Sequence, residues 1–394
     1  MTTTAPPPAP HLMIPGPTPL PDVVRQAMGA PAMGHRSPEF KAVLQDVFPR
    51  LQSVFKTTSD VLLYTASGTG AGEAAIMNTC NSGDTVLALC CGVFSERWAD
   101  VATSLGMVVE KLSVEPGEIN TVETLQARLA ADTDKRIKLV TMNHSETSTG
   151  VLNPVKDLVA AVRAHGALTL VDAVTSLCAA DFDTDGWGID MAFSGSQKGF
   201  MIPPGLSFLS VGPRAWEAHQ SVKSPGYYFN FAKNKKAQAD ATTAYTPATH
   251  LILALQQALH LMEAEGLDAM VARHRRLQQM VRAGAGALGL ELLVKNDAQA
   301  STAVTAIVPP TGLSVGDIRA GLKKQFGITV ADGQKQLKGK IFRIGHLGYQ
   351  SERDVLMTLA ALEAVLKSLG HKVSPGAAVC AAQDVMAGRQ PVGV

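Results

Sequence analysis

Between about residues 60 and 211 the chain repeats one pattern, a short and nearly continuous apolar run followed by an amphipathic stretch. The runs fall at 61–64, 85–89, 107–109, 138–142, 168–171, 191–194 and 206–210, and helical periodicity appears between them at 70–79, 97–104 and 155–164. Strands with no polar face must be covered on both sides. Their alternation with helices predicts an α/β domain with a mostly parallel seven-stranded sheet. Ligands of such sheets gather at the carboxyl ends of the strands.

Beyond this stretch, helical periodicity covers 250–265 and 267–288, with Gly266 between them. Runs at 301–308, 328–330 and 341–344 read as strands, and 314–326 and 351–369 as helices. A chain of 394 residues exceeds the size of a single growing core. The expected division is an N-terminal arm over 1–20, a large domain over 21–266 and a smaller C-terminal α+β domain over 267–394.

Two strand ends carry chemistry. The run 191–194 leads into Gly195-Ser196-Gln197-Lys198-Gly199, which sets a lysine among small residues just past a buried strand. The run 168–171 ends at Asp172. An acid and an amine at adjacent strand ends match the needs of pyridoxal phosphate, a partner for the ring nitrogen and a lysine for the aldehyde. The plain alternatives are a solvated lysine and an aspartate that caps residues 173–178.

Thr65-Ala66-Ser67-Gly68-Thr69-Gly70-Ala71-Gly72-Glu73 follows a strand and opens a helix, where small residues let backbone N–H groups close on a phosphate. The dinucleotide spacing fails at Glu73. A tight turn without a ligand is the alternative. Thr147 ends another strand and points to the cofactor's ring hydroxyl or to a loop that caps a helix near Pro154. Phe94 is a candidate for stacking on a flat ring or a core side chain. Arg343 interrupts the run 341–344, and its planar fork suits a substrate carboxylate; an ion pair with a structural acid is the alternative.

The 35 basic and 34 acidic residues give a net charge of +1, which offers no electrostatic basis for binding nucleic acid or an anionic membrane. No apolar run is long enough to span a bilayer. The five cysteines (Cys80, Cys90, Cys91, Cys178 and Cys380) show no CxxC spacing and read as free thiols of a reducing compartment. The uncharged, Pro-rich first ten residues lack the features of a signal peptide, and the last residues are not a peroxisomal address. A cytoplasmic protein is expected.

Together these motifs resemble the class V aminotransferases, a branch of the fold type I pyridoxal phosphate enzymes. The similarity is greatest to the alanine–glyoxylate and serine–glyoxylate enzymes. It runs from His11-Leu12-Met13-Ile14-Pro15-Gly16-Pro17 to Ser374-Pro375-Gly376, and Gly34–Ser37, 144–152, 194–198 and 342–348 carry it. The resemblance implies that Lys198 binds the cofactor covalently and shuttles a proton, and that Asp172 pairs the ring nitrogen. It implies that Thr147 contacts the ring oxygen, Phe94 stacks, and Ser67, Gly68, Thr69 and Gln197 hold the phosphate. Arg343 would bind the substrate carboxylate, and the turn at Gly16 would close over the amino acid. Thr242 and Tyr245 would reach the phosphate of a second subunit, so a homodimer with shared sites is expected. Two positions depart from many relatives, which carry histidine at 69 and tryptophan at 94. The implied reaction is ping-pong amino transfer from a small amino acid, alanine first and serine next, to glyoxylate, in a photorespiratory or other glyoxylate-clearing role. The rivals are serine–pyruvate or aspartate–glyoxylate transfer and, on the same fold, a cysteine desulfurase or lyase.

Overall fold

The computed structural model describes residues 10–389; residues 1–9 of the expected arm and residues 390–394 lie outside the described residues. Strand β1 (His11–Met13) leads through helices α1 (Asp22–Met28) and α2 (Pro38–Phe55) into the alternating region. That region runs β2 (Asp60–Tyr64), α3 (Gly68–Thr79), β3 (Thr85–Cys90), α4 (Val93–Ser104), β4 (Val108–Ser113), α5 (Val122–Ala130) and β5 (Ile137–Asn143). A small ribbon, β6 (Ser145–Glu146) and β7 (Val151–Leu152), precedes α6 (Val155–His165), β8 (Leu168–Asp172), β9 (Met191–Gly195) and β10 (Ser207–Val211). Helices α7 (Pro213–Gln220), α8 (Phe231–Ala239), α9 (Thr249–Glu265) and α10 (Leu267–Ala287) cross to a second sheet. Its strands are β11 (Glu291–Leu292), β12 (Val304–Val308), β13 (Ile328–Asp332) and β14 (Phe342–Gly345), with α11 (Val315–Phe326) between β12 and β13. Helices α12 (Glu352–Ser368) and α13 (Ala377–Met386) follow.

The large sheet has seven strands in the order β2-β10-β9-β8-β5-β3-β4. Pairings from β9 through β8, β5 and β3 to β4 are parallel, while β10 runs antiparallel to both β9 and β2. Side chains of successive strand residues point to opposite faces, and each face has its own core. On one face Val61, Leu63, Leu87, Leu89, Val140 and Met142 pack against α2, α6 and α9. On the other, Leu62, Tyr64, Val86, Leu139 and Phe193 pack against α3 and α4. A separate core around the second sheet gathers α10, α11, α12 and α13, and Met13 of β1 belongs to it.

Several boundaries differ from expectation for identifiable reasons. Helix α4 begins at Val93 rather than 97, because the carboxylate of Glu146, remote in sequence, accepts the N–H groups of Phe94 and Ser95 and caps its first turn. Strand β12 begins at Val304 rather than 301, because Ser301 is bonded away from the sheet, to Gly150 and the Ser145 hydroxyl. The edge strand β4 runs on to Ser113 through half-exposed and exposed residues whose polarity hid it. Four of the five cysteines are buried free thiols, and Cys380 is exposed. No helix among the described residues is long and apolar enough to cross a membrane.

Strand β1 is the link that matters for the site. It pairs in parallel with β13, and the Gln350 amide donates to its Leu12 carbonyl at 2.6 Å. Its continuation passes so close to β14 that a Cβ on Gly345 would lie 2.2 Å from the Ile14 carbonyl carbon. The obstacle is backbone, so it cannot rotate aside. Gly345→Ala is therefore expected to destabilise the fold by about 1–3 kcal/mol. The measurement is a urea titration, with the midpoint lowered at unchanged slope; an unmoved midpoint would show that the 14–15 segment is not held there.

Candidate active site

Register puts the acid and the amine side by side. Strands β8 and β9 are parallel neighbours with Asp172 opposite Phe193, and Lys198 follows at the same carboxyl edge. Both residues line one cavity of about 320 Å³. Ser67, Gly68, Thr69, Phe94, Thr147, Gln197 and Gly16 line it as well. Nine of the twelve residues singled out from the sequence thus converge on one space, although they come from six separate stretches of chain.

Asp172 is buried, and both of its oxygens are occupied. Oδ1 accepts from the Val174 N–H at 2.9 Å and Oδ2 from the Trp98 indole N–H at 3.2 Å. The local capping considered for Asp172 is therefore present together with its place in the cavity. Burial pushes its carboxyl up to about 7, with the nearby Glu146 carboxylate adding to the effect. Lys198 is half-buried as a residue, yet burial is also the largest influence on its amine and lowers it to about 8, with the positive Arg343 adding to the fall. Its Nζ donates to the Pro15 carbonyl. A Cβ on Gly16 would come within 2.9 Å of that amine, and the φ of +122° at this turn is one that glycine adopts freely and other residues rarely do. Thr18 fastens the turn, with its N–H on the Gln197 carbonyl at 3.3 Å and its hydroxyl on the Lys198 carbonyl at 3.2 Å.

Helix α3 starts at the opposite wall. The exposed Ser67 stands at its N-cap and its hydroxyl caps none of the first-turn N–H groups; that of Gly70 donates to the Ser67 carbonyl at 2.9 Å, which leaves those of Gly68 and Thr69 for an anion. A Cβ on Gly68 would lie 2.8 Å from Val174, so only glycine lets the helix start and the Asp172 turn approach so closely. The Thr69 hydroxyl accepts from Arg97 at 3.0 Å, and the Arg97 guanidinium lies 4.8 Å from the Phe94 ring centre. The Gln197 Oε1 is buried without a protein partner.

Thr147 bonds the Thr175 hydroxyl at 2.7 Å and does not cap α6. Arg343 is buried just behind it and donates to the Thr147 carbonyl at 2.8 Å. Arg343 does not line the cavity, and no carboxylate pairs with it among the described residues. Its other bonds go to the Asp332 carbonyl, at 2.9 and 2.6 Å, and to Gln334 at 3.3 Å. Of five N–H groups, one on Nη2 is left without a protein acceptor among the described residues. A two-pronged grip on a carboxylate therefore requires one of these bonds to be exchanged. Burial lowers this guanidinium to about 10.

Thr242 and Tyr245 do not reach the cavity of their own chain. Arg36 holds the Thr242 hydroxyl, and the Tyr245 hydroxyl donates to the Tyr227 carbonyl at 2.8 Å while its ring stacks on Tyr228 at 4.8 Å. Three wall residues, Trp98, Arg97 and Asn143, escaped the sequence reading, as did Glu146 behind the wall. Each lay beside a residue already noted, and no local pattern showed that it faces the same space.

The residues present fit pyridoxal phosphate. The free N–H groups of the helix start suit a phosphate, the Asp172 carboxyl suits a ring nitrogen, and the depressed Lys198 amine suits an aldehyde.

A family model described as aminotransferase class-V matches residues 17–356. A protein of Synechococcus sp. (strain PCC 6716), described as the small subunit of a soluble hydrogenase, is 46% identical over 377 residues, 95% of this chain and 98% of that one. Serine–glyoxylate aminotransferase of Hyphomicrobium methylovorum is 39% identical over 380 residues, 95% of this chain and 94% of that one. The crystal structure of ureidoglycine–glyoxylate aminotransferase from Bacillus subtilis has a TM-score of 0.91 at 30% identity, covering 98% of this chain and all of that one.

An amine at about 8 is mostly uncharged at pH 9, whereas surface lysines at about 10.4 are not. In the apoprotein, capture of Lys198 by a small aldehyde and borohydride should rise through pH 8, read by peptide mapping. A rise only above pH 10 would place the amine in water.

Proposed function

The chain belongs to the class V aminotransferases, and on that premise we propose that it transfers the amino group of a small L-amino acid to glyoxylate. Alanine is the first candidate donor and serine the next, with glycine and a 2-oxo acid as products of a ping-pong exchange. The observation that carries the proposal is the pairing of Asp172 and Lys198 at adjacent strand ends over one cavity, with the buried Arg343 cation behind it unmatched by any acid among the described residues.

Bound pyridoxal phosphate supplies an aldehyde and an electron sink. Lys198 would hold that aldehyde and, as a free amine, would serve as the general base and acid that moves a proton at the donor Cα. Asp172 would pair with the ring nitrogen and favour its positive form. Thr147 would contact the ring oxygen and Phe94 would stack on the ring. Ser67, Gly68, Thr69 and Gln197 would hold the phosphate, and Thr242 and Tyr245 would reach it from a second copy of the chain in a homodimer. Arg343 orients the substrate carboxylate, and the Gly16 turn closes over it and excludes water.

A second donor is favoured by one observation. Arg97 lines the cavity with only the neutral Thr69 hydroxyl as hydrogen-bond partner among the described residues, so a donor with a second carboxylate, such as aspartate, finds a cation there. A desulfurase would need a thiol near the amine, and Cys380 on α13 is not among the cavity residues. The name of the Synechococcus relative prompts a different class. Hydrogen activation at a metal would call for a cluster of soft ligands, and no group of three His, Cys, Asp or Glu side chains gathers for a metal among the described residues.

The test is glycine formation from glyoxylate with alanine, serine and aspartate offered separately to the holoenzyme. Lys198→Ala should lose at least about a thousandfold in rate, the scale of a lost proton shuttle and covalent anchor. Arg343→Gln should raise KM for every donor at least about tenfold, the scale of a charged hydrogen bond. If none of the three donors yields glycine, the glyoxylate proposal falls while the family assignment stands.

A further inference from the structure

Trp98 lies one turn beyond Phe94 on α4 and is 2% exposed, with its ring edge-on to Phe193 at 4.7 Å. Its indole N–H is shared between Asn143 Oδ1 at 3.0 Å and Asp172 Oδ2 at 3.2 Å. Asn143 is itself anchored, with its amide N–H on Glu146 at 3.2 Å and its carbonyl accepting from Asn153 at 2.8 Å. Room for the indole comes from across the helix interface. A Cβ on Gly72 of α3 would lie 2.3 and 2.7 Å from two ring carbons of Trp98. Gly72 belongs to the small-residue stretch whose composition suggested phosphate contact, yet it faces α4 and the indole.

We propose that Trp98 is a positioning residue for Asp172, the partner of the cofactor's ring nitrogen, and that position 72 is glycine to admit its indole. The proposal rests on the role given to Asp172 above. An indole nitrogen can only donate, so its bond favours the charged carboxylate against the burial that opposes it. With Val174 on Oδ1 and Trp98 on Oδ2, the plane of the carboxylate is set before the cofactor arrives. The Glu146 cap at the start of α4 keeps Phe94 and Trp98 in register with each other, so the ring-stacking face and the N–H move as one unit.

The experiment uses apoprotein titrated with pyridoxal phosphate by equilibrium dialysis across pH 5.5–9. Trp98→Phe keeps the ring and removes the N–H. Gly72→Ala keeps the indole and displaces it, and serves if Trp98→Phe folds poorly. Each is expected to weaken cofactor binding about tenfold at pH 7, the scale of one hydrogen bond to a charged group. Each should also move the acid-side midpoint of binding upward by about one pH unit, while the alkaline side set by Lys198 stays in place. Loss of packing alone would not move that midpoint. Asp172→Asn is the reference. If it weakens binding while both other variants keep the wild-type Kd and midpoint, the role of Trp98 is overturned. If Asp172→Asn leaves binding unchanged, the role given to Asp172 falls and that of Trp98 falls with it.

Discussion

A carboxylate taken out of water keeps its charge only if donors surround it and otherwise takes up a proton, and the cavity is organised around one that is so surrounded. Glu146 has no exposed surface. It accepts from the N–H groups of Phe94, Ser95 and Ser148, from the Ser148 hydroxyl and from the Asn143 amide. These bonds join the end of β5, the ribbon after it and the first turn of α4. Helix α4 therefore starts at one place only, and Phe94, Arg97 and Trp98 take up their positions on the cavity wall. Even the glycine before α4 is dictated from here, since a Cβ on Gly92 would meet the Glu146 side chain at 2.6 Å.

Burial then acts on the titratable groups in opposite senses and brings them together. The Asp172 carboxyl rises to about 7 and the Lys198 amine falls to about 8. Groups that in water lie far apart on the pH scale thus meet near neutrality, where a proton can be both taken and returned. The second sheet takes part in this tuning. Arg343 on β14 adds to the fall of the lysine, and the segment after β1 lays the Pro15 carbonyl and the bare Gly16 against the amine. The site is thus completed by backbone from the beginning of the chain and a cation from near its end.

The parts that could be read in one dimension were those with a local physical cause. Strands buried on both faces must be apolar throughout, so the runs at 61–64, 85–89 and 168–171 identified themselves, as did the residues at their carboxyl ends. The edge strand β4 was read short because half of it faces water. The start of α4 was misplaced because its cap comes from Glu146, and β12 was read long because Ser301 bonds to the ribbon. Trp98, Arg97 and Glu146 were passed over for the same reason. Nothing in their neighbours along the chain marks them, and their roles exist only through partners from other elements.

By itself the sequence determined the α/β alternation, the seven strands, and the placing of Lys198, Asp172 and the small-residue loop at strand ends, because period and polarity are local properties. Tertiary structure decided which faces meet. It placed Lys198 and Asp172 on neighbouring strands, gave Arg343 carbonyls rather than an acid, and put an indole N–H on the buried carboxylate. It also turned Thr242 and Tyr245 away from their own chain's cavity. These outcomes depend on distances between residues remote in sequence, and on the loss of water between them, which no local pattern encodes.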